Sequence, residues 1–590
     1  MTTSTNKDDG SISEKTKQPH AAEVVDESWT STEGEPIVTA AAAADAGTAP
    51  EKAAEDEDVD FERGFRFWSI IIGLSITTLL ASLEHTVVTT AAPYILQELE
   101  LRENFIWITN AFFICSTAFT PLFGQLCNIF GRRWVFMAIV AIFTLGSGIC
   151  GGATSGGMLI AGRAIQGVGS GGIVLTVNII VSDLCPLRKR GQYMAVILGV
   201  FGIGLAIGPF VGGAIAENST WRWVFYINLP IGGLSLVTMF LFLHVNYREG
   251  GSLSDKLRRI DMIGNLILMA ATVAILYSLT YAGSIYAWDS WHTLVPLLLG
   301  FAGLGAFVAF ESSGMAAADP VMPVRLFANR TSIVILANTF LNSVIYMWSL
   351  YFVPVFFQSV ALYSPSRAGY SILPQAVAGV PGAIIAAISL SRWGKYRPIH
   401  FGGFALSTLG MGLLSLQNVD TTIPQWAAYQ IVIALGIGSV IDTLLPAFQA
   451  PVSEADQAAA TSTWGFVRAF GTIWGVAVPA VIFNNRIDEQ LASVSDPAAR
   501  ALLGGGGAYQ LASASFVQQF PAAVQLEIRN LYASSLHRVF WVGAIFAGLA
   551  TLLVLLEREV PLRKQLETEF GIKKDVAPDA ERGISGEKAA

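Results

Sequence analysis

The chain has 590 residues, of which 53% are hydrophobic and only 14% charged, against roughly a quarter charged in an ordinary soluble domain. That balance excludes a soluble globular fold and describes an all-α integral membrane protein. The net charge of −8 is unevenly placed: residues 1–60 carry 15 acids and 4 bases, which leaves the other 530 residues at +3. An acidic solvated tail on a weakly basic membrane body argues against nucleic-acid binding.

Residues 1–60 hold too little large apolar surface to offset their ordering entropy and are expected to form a disordered cytosolic tail. Their alanine-rich run follows Glu33 and Glu35 rather than a basic start, so no cleavable leader is expected. A helix crossing a ~30 Å hydrocarbon layer needs about 20 mostly apolar residues. Fourteen such segments follow, beginning near Phe67, Trp107, Trp134, Met158, Gln192, Val224, Met262, Thr293, Ser332, Gly369, Phe401, Trp426, Ala459 and Val539. The long connection 485–536 interrupts the short-loop rhythm. Phe520, Val524, Ile528 and Leu531 share a helical face within it, as in a helix lying on the membrane surface or an ordinary loop helix.

Lys and Arg set the orientation. The loops after spans 2, 4, 6, 8 and 10 carry fourteen bases, among them Arg132, Arg133, Arg188, Lys189, Arg190, Arg248, Arg258, Arg392 and Arg397. The short odd-numbered loops carry three, Arg102, Arg222 and Arg367. The asymmetry predicts that the even-numbered loops and both termini are cytosolic. The four cysteines have no metal-ligand spacing, and no cofactor or metal is expected.

The fifth span contains Gly199 to Gly213, fifteen uncharged residues with six glycines. Each glycine costs an aqueous helix up to about 1 kcal/mol relative to alanine. In lipid, glycines three or four apart instead let two helices approach closely. Gly204, Gly208, Gly212 and Gly213, with Pro209, therefore predict a kinked helix packed tightly on a neighbour, with a role in sealing or hinging a cavity. Gly167-Val-Gly169-Ser-Gly-Gly172 fits a dinucleotide pattern, but no strand precedes it and it lies inside an apolar span, so nucleotide binding is excluded.

Gly124 to Gly131-Arg132-Arg133 after span 2 has a weaker echo in Ser391-Arg392-Trp393-Gly394-Lys395 after span 10, as in transporters built from parallel halves. With Arg163-Ala-Ile-Gln166-Gly167, Gly204 through Gly208-Pro209 to Gly213, Trp221-Arg222-Trp223 to Asn228-Leu-Pro230, and Leu83-Glu84-His85-Thr86 through Pro93, the chain resembles the major facilitator superfamily. The resemblance covers about residues 65–560 and is to its fourteen-helix drug:proton antiporter branch, most closely the fungal members. Asn128 stands where that family usually has an acid. The resemblance implies a 6+2+6 arrangement: six helices in 61–247, a cytosolic linker and inserted helix pair in 248–320, and six helices in 321–557 with a long external loop 485–536. A cytosolic tail, 558–590, would follow.

Charges inside a membrane cost several kcal/mol unless paired or facing water. Glu84 and Arg163 both fall in the outer half of their spans, in helices that border the central cavity in the family fold, where they can pair. Desolvation and a neighbouring arginine act in opposite senses on a carboxyl's proton affinity. Glu84 is thus the candidate proton carrier and Arg163 its partner, with an inert structural ion pair as the alternative. Asp442 and Arg468 form the second pair of intramembrane charges. Gln166, Asn110, Asn338 and Asn342 are candidate cavity donors. Asp183 is placed to reach Arg132 or Arg133 and lock the cytosolic face.

The resulting expectation is a proton-coupled exporter of small amphipathic or hydrophobic compounds, working by alternating access and driven by no ATP site of its own. It is not an enzyme: its six histidines are scattered. Its partners would be a small-molecule substrate, protons and the bilayer, with no nucleic acid and no obligate protein partner. The expected site is the plasma membrane, with the vacuolar membrane as alternative. Uptake of iron chelates, basic amino acids or polyamines is the nearest rival, and a non-transporting sensor or enzyme the rival of another class. The scarcity of cavity acids beyond Glu84 and Asp442 favours export of neutral or weakly charged compounds.

Overall fold

The computed structural model describes residues 64–99, 106–245, 252–282, 286–314, 319–453, 456–506 and 508–563. The acidic segment 1–60 lies outside them, as do Arg102, Arg248 and most of 558–590, so the expectations placed there concern residues beyond this description. The described residues form helices and their connections, with two isolated bridge pairs.

The long helices are α1 (Phe65–Glu98), α2 (Ile106–Phe130), α3 (Arg132–Gly151), α4 (Gly156–Leu184), α5 (Leu187–Asn218), α6 (Asn228–Phe242), α7 (Met262–Tyr281), α8 (Trp291–Ser312), α9 (Arg330–Val355), α10 (Leu373–Trp393), α11 (Arg397–Ser415), α12 (Ile423–Ile441), α13 (Gln457–Gln490) and α14 (Ala522–Val554). Twelve helical stretches among the described residues are long and apolar enough to cross a membrane, where fourteen spans were expected. The two long helices outside that set are α5, some of whose residues lie outside the description, and α11, whose sequence is diluted by Pro398, His400 and its glycines.

Helix ends follow local chemistry. Ser155 caps α4 by accepting from the Met158 amide, Asn329 caps α9, and Thr422 with Gln425 forms a capping box on α12. The two echoed loops both turn on a glycine with positive φ, Gly131 (85°) before α3 and Gly394 (67°) after α10, where an L side chain would be strained. Pro354 near the end of α9 is followed by one π turn, Phe356–Val360.

Small residues set the close approaches, as expected where lipid removes the hydrophobic drive for helices to associate. A methyl group at Gly204 would collide with the Ser82 hydroxyl, and one at Gly208 with Thr86 and the Leu83 carbonyl. The neighbour of α5 is therefore α1, the helix that carries Glu84. Gly213 faces open space and does not take part in this packing. The Pro209 side chain lies outside the description. Gly167 and Gly171 lie against the backbone of α2 at Phe112 and Ser116, and Gly169 lies against Phe143 of α3. The dinucleotide-like pattern is thus the seam of α4 between two neighbours.

Helices α1–α6 pack around one another, as do α9–α14, around apolar cores, two of which take in one residue of the other group, Ala458 of α13 and Leu187 of α5. The two groups touch where α2 meets α13 and α5 meets α10. Gly124 of α2 lies against Ser462 of α13, whose hydroxyl donates to the Pro121 carbonyl at 3.3 Å. Arg190 donates to Gln449 and to the Ser182 carbonyl, and Gln449 donates to the Ser182 hydroxyl at 3.4 Å. All these contacts lie toward the arginine-rich ends of the helices. The hairpin α7–α8 packs on α2 and α13.

Two boundaries differ from expectation. Connection 485–536 is helical to Gln490, holds two short helices, Pro497–Leu503 and Ala514–Val517, and is helical again from Ala522, so Val524, Ile528 and Leu531 belong to the first turns of α14. Their apolar face is buried against the protein, in the same core as Phe356 and Phe483, and is not available to a membrane surface. The chain beyond residue 557 begins as a strap on the second group: Glu559 accepts from the Tyr396 amide at 2.8 Å, and Arg563 donates to the Val452 carbonyl.

At the end opposite the arginines, Glu98 accepts from the Trp221 indole at 2.6 Å and from Arg222 at 2.5 Å. These donors, Arg222 foremost, hold the Glu98 carboxyl below the usual carboxylate range. The clasp therefore contributes stability above that range and loses it as the pH falls through the lowered value. Glu98→Gln is expected to flatten this acid dependence in a thermal-unfolding series. Gly208→Leu should overpack the α1–α5 seam and cost about 1–3 kcal/mol. The same change at Gly202, which faces open space, should leave the melting temperature of the purified protein within a degree or two of wild type, on the order of 0.5 kcal/mol.

Candidate functional site

The first group of helices encloses a polar network built on two charges. Glu84 is about 1% exposed and Arg163 about 2%. Each is surrounded by apolar helix, so each must find its counterpart inside the protein. Arg163 Nη1 donates to Glu84 Oε1 and, at 2.7 Å, to Gln166 Oε1. Its Nε donates to the Ile108 carbonyl of α2 at 2.9 Å, and the guanidinium lies 4.3 Å from the centre of the Phe112 ring. Glu84 Oε2 accepts from Asn228 Nδ2 at 2.6 Å. Ser147 of α3 closes the network, accepting from Gln166 at 2.7 Å and from Asn228 at 3.3 Å. Five helices, α1, α2, α3, α4 and α6, thus meet at one ion pair.

Glu84 and Arg163 are in contact, and Gln166 is with them. Gln166 is fully buried with both ends of its amide engaged, so it does not present the free cavity donor expected of it. Its spacing from Arg163 does put both on one face, but that face is the interior of the bundle. Asn228 and Ser147 join the site although no role is legible for them in the sequence. His85 packs between Phe112, Phe113 and Phe201.

The second group holds its charges differently. Asp442 sits where α12 stops, before the short helix Leu444–Gln449, and its Oδ2 has no hydrogen-bond partner. Arg468 of α13 feels the charge of Asp442 and stands over the Trp464 ring at 5.3 Å, without a direct ion pair to the acid. Asn338 donates to Glu557 at 3.0 Å, and Glu557 also meets His400 at 2.8 Å, all three buried. This cluster ties α9, α11 and the end of α14 together. Asn342 keeps a buried amide oxygen without a partner, and Asn110 a buried amide nitrogen. Trp107 packs on Tyr277 and Tyr281 of α7. Two cavities, of about 470 and 700 Å³, lie at opposite ends of the second group, and neither is lined by Asn110, Asn338, Asn342, Asp442 or Arg468.

Near the arginine-rich end, Arg132 donates to Asp183 at 2.8 Å and to the Cys127 carbonyl at 3.0 Å, with the acid and base both buried. Arg133 points elsewhere, donating to the Phe240 carbonyl at 2.7 Å.

Apolar helices in two groups, each holding charges in its interior, describe a multi-span membrane carrier. The chain belongs to the Major Facilitator Superfamily, which it matches over residues 74–476. It is 55% identical over 523 residues to the MFS-type transporter TwmF of Talaromyces wortmannii, covering 88% of this chain and 95% of that protein. It is 43% identical over 528 residues to the MFS efflux transporter aclA of Aspergillus oryzae, covering 89% and 96%. The fold is similar to that of the human organic anion transporter MFSD10 (TETRAN), with a TM-score of 0.52 and 14% identity over 82% of this chain and 99% of that one.

The site predicts a specific pattern of coupling. Arg163→Met strands the buried Glu84 charge and should cost about 3–5 kcal/mol. The double variant with Glu84→Gln should recover most of that loss. Thermal unfolding of the three purified variants measures both the cost and the recovery.

Proposed function

We propose that the protein is a proton-coupled exporter of small amphipathic or hydrophobic compounds, with Glu84 as the group that takes up and releases the proton. The observation that carries this reading is the Glu84 carboxylate, held by Arg163 and Asn228 inside a chain whose relatives include a protein named an efflux transporter. Protonation of Glu84 would free the guanidinium from its counter-charge and leave it to Gln166 and the Ile108 carbonyl. A change of charge at one point is thereby felt by the five helices that share it. In the second group, the unpartnered oxygen of Asp442 opposite Arg468 is the polar contact we assign to substrate.

The same reading includes α5 and α11 as spans, giving fourteen in the order 6+2+6, with boundaries near 61–247, 248–320 and 321–557. The arginine-rich ends and both termini would be cytosolic and the plasma membrane the working site. Arg190, Gln449 and Ser182 would then close the cytosolic side in this conformation, with Arg132–Asp183 bracing it.

Reconstitution in liposomes under an imposed pH gradient tests the reading. The wild-type protein is expected to move a hydrophobic dye or toxin against its gradient. Glu84→Gln should reduce gradient-driven transport by at least tenfold while keeping downhill exchange. Equal pH-driven transport by both proteins would remove Glu84 from the mechanism.

A further inference from the structure

The cavity of about 700 Å³ at the arginine-rich end of the second group is lined by no residue of the Glu84 network. Its walls come from the chain entering α9, the first turn of α9, the connection before α13 and the strap after α14. These segments bring three arginines together, Arg325, Arg330 and Arg558, against one acid among the described residues, Asp456. Ser332 and Ser453 add hydroxyl groups to the wall. The cavity thus stands where α9 begins and α14 has ended, the level of lipid headgroups for helices that span a bilayer.

Local bonds fix how each charge is held. Arg325 is shared with Asp456, Nε donating to Oδ2 at 2.8 Å and Nη2 to Oδ1 at 2.6 Å, and the Ser453 hydroxyl donates to the same carboxylate at 2.9 Å. Arg330 gives Nε and Nη2 to the Leu556 carbonyl, at 3.0 and 2.8 Å, which orients the guanidinium without neutralising it. Arg558 is anchored by its backbone: its amide donates to the Thr331 hydroxyl at 3.1 Å and its carbonyl accepts from the Tyr396 hydroxyl at 2.7 Å. Its side chain is exposed, and its guanidinium has no partner among the described residues. The acids on either side of it are engaged elsewhere. Glu557 is buried on Asn338 and His400, and Glu559 accepts from the amides of Tyr396 and Arg397 at 2.8 and 3.3 Å.

Two guanidinium groups without a counter-charge, beside a third shared with a single acid, leave the cavity positive. The planar fork of an arginine matches two oxygens of one phosphate group, and such charge-assisted bonds are the strong ones. Neighbouring hydroxyls suit a polyol. We infer that this cavity binds a phosphorylated polyol, the chemistry shared by the headgroup of an inositol phospholipid and by a soluble inositol phosphate. Arg330 and Arg558 take the phosphate, Ser332 and Ser453 stand beside the polyol, and Asp456 competes with the anion for Arg325. The bound anion also joins the strap to the connection through Ser453, which leads back to Gln449, the partner of Arg190 across the two groups. On the reading that this contact closes the cytosolic side, the anion braces the closed conformation; the binding site itself does not depend on that reading.

Titration of the purified full-length protein with a short-chain phosphatidylinositol phosphate, with inositol trisphosphate and with unphosphorylated inositol tests this, read by thermal shift and native mass spectrometry. At least one phosphorylated compound should bind and raise the melting temperature, and inositol should do neither. Arg558→Gln should weaken binding about tenfold, the loss of one charged hydrogen-bond partner, and Arg558→Lys should weaken it less. Asp456→Asn releases Arg325 and should strengthen binding, so a loss of fold cannot pass for a loss of the site. Arg538→Gln removes the same charge from a residue that stands 3.9 Å from Glu489 instead, and should bind as the wild type does. Binding of the lipid alone identifies a headgroup site, and equal binding of the trisphosphate a soluble ligand; either result supports the assignment. No binding of either phosphorylated compound would overturn it, as would equal affinities in wild type, Arg558→Gln and Asp456→Asn. These measurements use no pH gradient and leave Glu84 in place, so their failure would not touch the proton-coupled reading.

Discussion

The Arg163 guanidinium is the point on which the first helix group depends. It has a fixed positive charge, and burial makes that charge costly unless a counter-charge and polar acceptors meet it. Glu84, Gln166 and the Ile108 carbonyl supply the acceptors, and Phe112 supplies a ring face. Each comes from a helix whose placement is set by something else. The glycines of α4 let Phe112 and Phe143 come close, and Gly204 and Gly208 of α5 seat α1 at the depth where Glu84 arrives. Packing and charge are therefore one constraint: a bulkier residue in the seams would move the partners of a charge that cannot do without them.

Lipid explains why this protein spends glycine so freely. With no hydrophobic gain from bringing helices together, association relies on close dispersion contacts and on polar groups that lipid cannot satisfy. The α2–α13 crossing uses both, Gly124 against Ser462 and the Ser462 hydroxyl on the Pro121 carbonyl. The Arg190–Gln449–Ser182 contact uses the second alone. Hydrogen bonds between side chains and carbonyls can exchange partners at little net cost, unlike a buried apolar core. Such contacts suit an interface that must open and close, whereas the cores within each group suit bodies that move intact.

Much of this was legible in the sequence, for reasons specific to each residue. An intramembrane Glu and Arg at similar depths have few options besides each other, so the Glu84–Arg163 contact followed from cost together with the family resemblance that set their helices beside one cavity. Asn228 and Ser147 gave no such signal, because a neutral polar residue can satisfy itself on its own helix; Ser147 does donate to the Phe143 carbonyl at 3.0 Å. Helical spacing put Gln166 on the face of Arg163 but could not say whether that face looked into a cavity or into the bundle. The bond from Asn338 to Glu557 was not legible because Glu557 sits at the edge of an apparent tail. The apolar face of 520–531 was real, yet periodicity does not distinguish a surface helix from the first turns of α14.

The two helix groups share a loop motif and a layout but treat charge in opposite ways. In the first, acid and base are in direct contact, Arg163 through Nη1 and Glu84 also held by Asn228, an arrangement that holds one structure until a proton changes it. In the second, Asp442 and Arg468 sense each other across a gap, with an acceptor left unpartnered at a helix break. An acid and base in direct contact resist rearrangement, whereas an acid with an unpartnered buried oxygen favours any conformation or ligand that supplies a donor. That difference gives the two groups separate roles in the proposed cycle: the first stores and releases charge, and the second offers the unmet polar contact that a passenger can complete.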